Sequence, residues 1–223
     1  MNILLIAATA KEIKPFLQHY RNSKMSLDID ILITGIGLTS TTYHLARQLL
    51  LKRPALVIQA GVAGCFDNQL PLGSVVIINQ DAIADESVVE LKKLKTLFDL
   101  KLVSQNQFPY HKGWLINSNS TFIKRSGIKT VKGISVNQIT SSKEMIAFYK
   151  NSFNPVTESM EGAALHYVCL MENIPFLQLR SISNYIGERN KKKWNMNESI
   201  NNLNAELIKL IKKHLKFKTT INN

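Results

Sequence analysis

Hydrophobic residues along this chain fall into two alternating kinds of pattern. The opening run Asn2-Ile3-Leu4-Leu5-Ile6-Ala7 is apolar at consecutive positions, which suits a strand covered on both faces. Comparable runs recur at Ile29 to Ile33, Ala55 to Gln59, Ser74 to Ile78, Thr130 to Val136 and Phe176 to Ile182. Between them, apolar spacings of three and four predict helices from about Ala10, over Thr39 to Leu51, over Lys143 to Lys150 and over Met160 to Glu172. From Asn195 onward, Met196, Ile200, Leu203, Leu207, Ile208, Leu210, Ile211 and Leu215 form the stripe of an amphipathic closing helix. Strands alternating with helices predict an α/β fold, a single three-layer αβα domain over residues 1–223 with a mostly parallel central sheet. In open sheets of this kind ligands sit beyond the carboxyl ends of the strands, so chemistry is expected in the residues that follow each strand. Residues 86–112 have weak periodicity and read as an irregular excursion of the kind that covers a site. Residues 217–223 read as a frayed tail.

Composition changes this picture little. The chain has 223 residues and 45% hydrophobic content, enough for one sizeable core. No apolar run approaches the roughly 18 residues of a membrane span, and the opening segment reaches Lys11 without the basic start of a signal peptide, so a cytoplasmic protein is expected. Cys65 and Cys169 have neither disulfide-framework nor zinc-ligand spacing and are expected to be small buried hydrophobes. His19, His44, His111, His166 and His214 show no ligand spacing either, so neither a metal nor a cofactor is expected. The net charge of +12 comes from lysine and arginine runs such as Lys191-Lys192-Lys193, with no interleaved aromatics. Solvated helix faces explain these runs better than a nucleic-acid partner.

Candidate chemistry gathers at strand ends. Thr34-Gly35-Ile36-Gly37 and Gln59-Ala60-Gly61-Val62-Ala63-Gly64 place glycines where backbone comes close to a ligand or a neighbouring helix. Either loop alone reads as an ordinary tight turn; two in one sheet favour a sugar or phosphate site. Glu12, three residues after Thr9, fits a capping box as well as it fits catalysis. Glu161, after a short strand and a Ser159 cap, is ambiguous in the same way. Arg180-Ser181-Ile182-Ser183-Asn184 leaves further polar groups at a strand end.

Taken in order, the segments Met1 to Glu12, Thr34 to Gly37, Ala60 to Gly64 with Gly73-Ser74-Val75-Val76, Glu158-Ser159-Met160-Glu161-Gly162-Ala163-Ala164, and Arg180 to Asn184 resemble the purine nucleoside phosphorylase/nucleosidase superfamily. The resemblance implies that fold, with Glu12 activating water and Glu161 holding the ribose hydroxyls beside Met160. It also puts Gly61, Val62, Ser183 and Arg180 at the substrate, with Ile139 among the candidates for stacking on the base along with Phe66, Val136 and Gln138. Adenine-specific nucleosidases of this superfamily carry an Asp where this chain has Asn184. An Asn offers two N–H donors, which match N7 and O6 of a 6-oxopurine. The segment Ser183 to Asn190 followed by Trp194-Asn195 is similar to the futalosine hydrolases, which release hypoxanthine in menaquinone biosynthesis. Arg180, Arg189 and Lys191 are then the candidates for the substrate's carboxylate. The resemblance also implies a homo-oligomer, with a dimer as the first expectation. The alternatives are methylthioadenosine/adenosylhomocysteine nucleosidase, disfavoured by Asn184, and phosphorolysis, disfavoured because no basic residue follows Gln59 before Leu72. A nucleoside-binding protein without turnover is the alternative from another class, and retention of both glutamates argues against it.

Overall fold

The computed structural model of the protein describes residues 2–22 and 28–215. The tail expected at 217–223 lies outside the described residues, as do the side chains of His214 and Leu215. In chain order the elements are β1 (Ile3–Ala7), α1 (Lys14–Asn22), β2 (Ile29–Ile33), α2 (Leu38–Leu51), β3 (Leu56–Cys65), β4 (Val75–Asp81), β5 (Ser87–Glu90), β6 (Lys93–Thr96), β7 (Tyr110–His111) and β8 (Trp114–Ile116). They continue with α3 (Ser120–Ser126), β9 (Thr130–Ser135), α4 (Lys143–Phe153), β10 (Thr157–Ser159), α5 (Gly162–Met171), β11 (Phe176–Tyr185), a single 3-10 turn at Lys191–Lys193 and α6 (Met196–Leu215).

The apolar opening strand does what its pattern predicts. Ile3, Leu5 and Ala7 of β1 face one layer, with Phe16 of α1 and Leu203, Leu207, Leu210 and Ile211 of α6. Leu4 and Ile6 face the other, with Leu45 and Leu49 of α2 and Leu165, Val168 and Cys169 of α5. Each fully buried Leu or Ile contributes about 1.5–3 kcal/mol of transfer free energy, so the sandwich of β1 between two helical layers is a major source of stability. Cys65 and Cys169 are both free and buried.

The sheet is mixed, with its longer pairings parallel as expected. Parallel pairs β1–β2, β1–β3, β3–β11, β4–β9 and β9–β10 are joined by antiparallel pairs β3–β10, β4–β11, β4–β8 and β7–β8. One cause is the length of β3. Expected to end at Gln59, it runs to Cys65, so it outlasts β1 and offers its freed edge to β10. The second glycine segment therefore lies inside a strand, not in a strand-to-helix loop. There the glycines permit close approach: a Cβ on Gly61 would stand 2.2 Å from Arg180 Nη1 and 2.9 Å from Glu12 Oε1.

Residues 86–112 are also more regular than expected. β5 and β6 pair as an antiparallel hairpin, and Leu94 packs against the cluster of Phe66, Ile134, Val136 and Tyr149. Helix α3 is missing from the sequence reading because it is one short element, held by an Asn119 side chain that accepts the Phe122 N–H and ended by Gly127.

Candidate active site

A cavity of about 380 Å³ opens at the carboxyl ends of β1, β3, β10 and β11, a volume in the range of small-molecule sites. Glu12, Val62, Met160, Glu161, Ser183, Asn184 and Ile139 all line it. Gly61 and Arg180 lie beneath the wall, not on it. Of the stacking candidates only Ile139 reaches the cavity; Phe66 and Val136 are buried in the α4 cluster and Gln138 borders a separate groove. No residue of 86–112 lines the cavity, because that hairpin is drawn against α4 instead.

Glu12 sits in the turn ahead of α1, half of a capping box. Its Oε2 accepts the Thr9 N–H and the Thr9 hydroxyl, both at 3.0 Å. The reciprocal bond is absent: the Glu12 N–H goes to the Thr9 carbonyl at 3.2 Å. Oε1 instead turns inward to accept the Val62 N–H at 3.1 Å. From the far side Asn204 of α6 donates to the Glu12 carbonyl at 2.8 Å and accepts the Phe16 N–H at 3.0 Å, so the closing helix fixes the turn that carries the carboxylate. The capping and catalytic readings of Glu12 are thus compatible, one oxygen to each.

Glu161 stands just ahead of α5 and makes no side-chain cap to it, which corrects the expectation that it lies in the first helical turn. Ser159 and Ser135 do that work: their hydroxyls accept the N–H groups of Gly162 at 3.2 Å and Ala163 at 2.8 Å. Released from the helix, Glu161 Oε1 accepts the Gly37 N–H at 3.2 Å and Oε2 meets Arg180 Nη2 at 3.4 Å. Burial pushes the Glu161 carboxyl above the usual range, the Arg180 guanidinium and the Gly37 N–H pull it back, and the charge of Glu12 pushes it up again. The two carboxylates are close enough to feel one another.

Arg180 is 1% exposed and also donates to Gln59 Oε1 at 2.9 Å. It is therefore committed to Glu161 from behind and corrects the expectation of a residue that touches substrate. A single pleat cannot aim consecutive residues at one cavity, yet Ser183 and Asn184 both line it. Pairing with β3 shifts register between Ile182 and Asn184, a bulge that leaves Ser183 as the extra residue and re-aims the strand end. The Ser183 hydroxyl lies 2.9 Å from Asn184 Oδ1 and 3.2 Å from the Ala63 carbonyl, and Asn184 Nδ2 donates to the Tyr185 carbonyl at 3.2 Å. One amide N–H of Asn184 therefore remains for a ligand, where the sequence suggested two.

The cavity has walls that the sequence analysis did not assign. Arg189, offered only as one of three carboxylate partners, lines it with its guanidinium 5.8 Å from the Trp194 ring, whereas Lys191 lies on the exposed 3-10 turn. Ile36 and Ile186 are apolar walls, and Glu158 is a third carboxylate. No local signal marks Glu158, because Ser159 and Met160 line the cavity as well and the strand period does not single it out.

The model for the phosphorylase superfamily matches residues 2–215. A 5'-methylthioadenosine/S-adenosylhomocysteine nucleosidase of Glaesserella parasuis is 27% identical over 213 residues, covering 82% of this chain and 85% of the relative. A futalosine hydrolase of Thermus thermophilus is 25% identical over 181 residues, covering 80% and 79%. Among solved structures, an Asp-to-Asn mutant of the Helicobacter pylori 5'-methylthioadenosine/S-adenosylhomocysteine nucleosidase with 5'-methylthioadenosine in its active site superposes with a TM-score of 0.79 at 21% identity, covering 95% of this chain and 98% of the other. With the family model spanning nearly the whole described fold, this chain belongs to the phosphorylase superfamily.

Proposed function

We propose that the protein hydrolyses the N-glycosidic bond of a purine nucleoside, with water as acceptor and futalosine as substrate. The observation that carries the reading is two carboxylates held by fixed donors in one cavity, with an Asn amide on the neighbouring strand end. As the bond between C1′ and the base breaks, its electron pair leaves with the base and positive charge builds on the ribose. Glu161, seated between Gly37 and Arg180, accepts hydrogen bonds from the ribose hydroxyls and stabilises that charge. Glu12 takes a proton from water as the water oxygen bonds to C1′. Val62 and Thr9 hold its two oxygens in place.

Asn184 supports a 6-oxopurine. Its free N–H donates to N7 of the departing base and stabilises the developing anion, whereas an ionised Asp would repel O6. Arg189 at the cavity wall is the partner for a substrate carboxylate, a role for which a planar guanidinium is suited. Water rather than phosphate is the acceptor because Arg180 is already engaged by Gln59 and Glu161, and no basic residue occupies 60–72. Likeness to the Glaesserella parasuis nucleosidase supports a second reading, adenine release from methylthioadenosine. A homo-oligomer belongs to the same proposal: Tyr43 and Leu50, two turns apart on α2, are 60% and 82% exposed and suit coverage by a second copy.

Parallel assays of free base from futalosine and from methylthioadenosine separate the two readings. Hypoxanthine from the first, with the second left intact, is the expected result; adenine from the second would replace the proposal. The Asn184→Asp variant is expected to lose about tenfold or more in kcat/KM on 6-oxopurine nucleosides, the cost of setting a carboxylate against O6. Unaltered base preference in that variant would remove Asn184 from the account.

A further inference from the structure

Behind Glu161 lies a buried polar chain that the reaction as described leaves unused. Asp81, at the end of β4, and Ser135, at the end of β9, are both fully buried. The Ser135 hydroxyl donates to Asp81 Oδ1 at 3.0 Å, lies 3.4 Å from the Ser159 hydroxyl and accepts the Ala163 N–H at 2.8 Å. Its backbone is fixed as well: the Ser135 N–H donates to the Ala82 carbonyl at 2.8 Å, and its carbonyl accepts the Ala84 N–H at 3.0 Å. Gly162 makes room for the group, since a Cβ there would collide with Asp81 Oδ2 and Gln178 Nε2. Burial raises the Asp81 carboxyl to about 6 against the pull of Gln178, the Ser135 hydroxyl and the charge of Arg180, so it is ionised at neutral pH.

An ionised carboxylate can only accept, so Asp81 claims the single hydroxyl proton of Ser135. Ser135 then has no proton for Ser159, and between those two hydroxyls Ser159 is the donor. Both oxygens keep lone pairs toward the start of α5, where they accept the N–H groups of Gly162 and Ala163. Asp81 thus sets the direction of the whole chain, and its charge suits the positive end of a helix. Glu161 is the residue that this arrangement relieves. It occupies the N-cap position of α5, where a side chain ordinarily accepts the N–H two or three residues on, and the first of those belongs to Ala163. Ser135 takes that bond from β9 instead.

We infer that Ser135 and Asp81 are positioning residues for ribose recognition: by capping α5 in place of Glu161, they keep the Glu161 carboxylate turned to Gly37, Arg180 and the sugar hydroxyls. This rests on the nucleoside-hydrolase reading, and it requires a ribose in the cavity but no particular base. Neither residue lines the cavity. Removing the Ser135 hydroxyl orphans the Ala163 N–H, and the acceptor placed to replace it is Glu161 itself. A carboxylate drawn back to the helix no longer meets the ribose, whereas the Asn184 end of the cavity is unaltered.

The test compares kcat/KM for futalosine and 2′-deoxyfutalosine in the parent, in Ser135→Ala and in Asp81→Asn. Thermal unfolding is the control for folding, and equilibrium binding of hypoxanthine is the control for the base end. The parent is expected to prefer the ribonucleoside by about 10- to 100-fold, the range for one hydrogen bond to a charged group. Ser135→Ala is expected to lose about fivefold or more of that preference, while its affinity for hypoxanthine stays within about twofold of the parent's. Asp81→Asn keeps the shape but no longer forces the direction of the hydroxyls, and it is expected to shift the preference the same way by a smaller factor. Equal losses on both nucleosides would show that the chain only supports the fold, and the inference would fall. An unchanged preference in Ser135→Ala would overturn it too, and an unchanged preference in Asp81→Asn would remove Asp81 from it. A parent that spares futalosine but cleaves methylthioadenosine strikes the futalosine reading alone, and the same comparison then uses methylthioadenosine and its 2′-deoxy form. A parent that cleaves neither strikes the hydrolase reading on which the inference rests.

Discussion

Substituting Glu12 with Gln is expected to lower kcat by about 10²- to 10⁴-fold while KM stays within a few-fold of the parent, the signature of a lost general base. The change removes the group that takes the proton of water and alters volume little. Gln can still accept the Val62 N–H through its oxygen, so the turn that precedes α1 keeps its anchor, and Asn204 of α6 continues to hold the backbone on either side. Steady-state kinetics of Glu12→Gln, with circular dichroism to confirm the fold, checks the expectation. A kcat equal to the parent's would end the assignment of Glu12 as base. A collapse of binding with kcat preserved would make Glu12 a substrate holder.

The second large effect is expected at Arg180, which is buried behind Glu161 and does not line the cavity. Arg180→Met keeps much of the volume but leaves Glu161 buried without its cation, and breaking a buried pair in this way costs about 3–5 kcal/mol. The pH dependence distinguishes this from loss of packing. Burial already holds the Glu161 carboxyl above its ordinary range, and without Arg180 it rises further. Between the ordinary and the raised value the folded state binds more protons than the unfolded state, so stability falls as pH rises through that window. Denaturant unfolding of Arg180→Met is therefore expected to show a smaller deficit against the parent at pH 5 than at pH 7. A deficit equal at both pH values would point to packing alone and would remove the electrostatic account of the pair. Activity should fall with it, because a protonated Glu161 stabilises the ribose cation less well.

Much of this architecture was legible in residue order. The consecutive apolar positions of β1 announced a strand covered on both faces, and its alternate residues do face α1 with α6 on one side and α2 with α5 on the other. The stripe of α6 was equally plain, because a 3.6-residue period is local information. Sheet direction was not local. That β3 outlasts β1 and takes up β10 in the opposite sense depends on partners a hundred positions away, and the glycines of 60–64 looked like a loop for that reason.

The site divides along the same line. Glu12, Glu161, Met160, Ser183 and Asn184 were found because they follow strands, and all five converge on the cavity. Arg180 was misplaced because sequence cannot say which face of a strand end meets the cavity; its guanidinium passes under Gly61 to reach Gln59 and Glu161. Glu158 was overlooked for the complementary reason. In sequence it is one polar residue within a short strand, and only the pairing of β10 with Gly64 brings it into line with Asn184.

The most direct measurement is release of free base from futalosine by the purified protein, followed with and without inorganic phosphate. The account predicts hypoxanthine at the same rate in both. A rate that depends on phosphate, with ribosyl phosphate as the second product, would contradict water as the acceptor and with it the role given to Glu12.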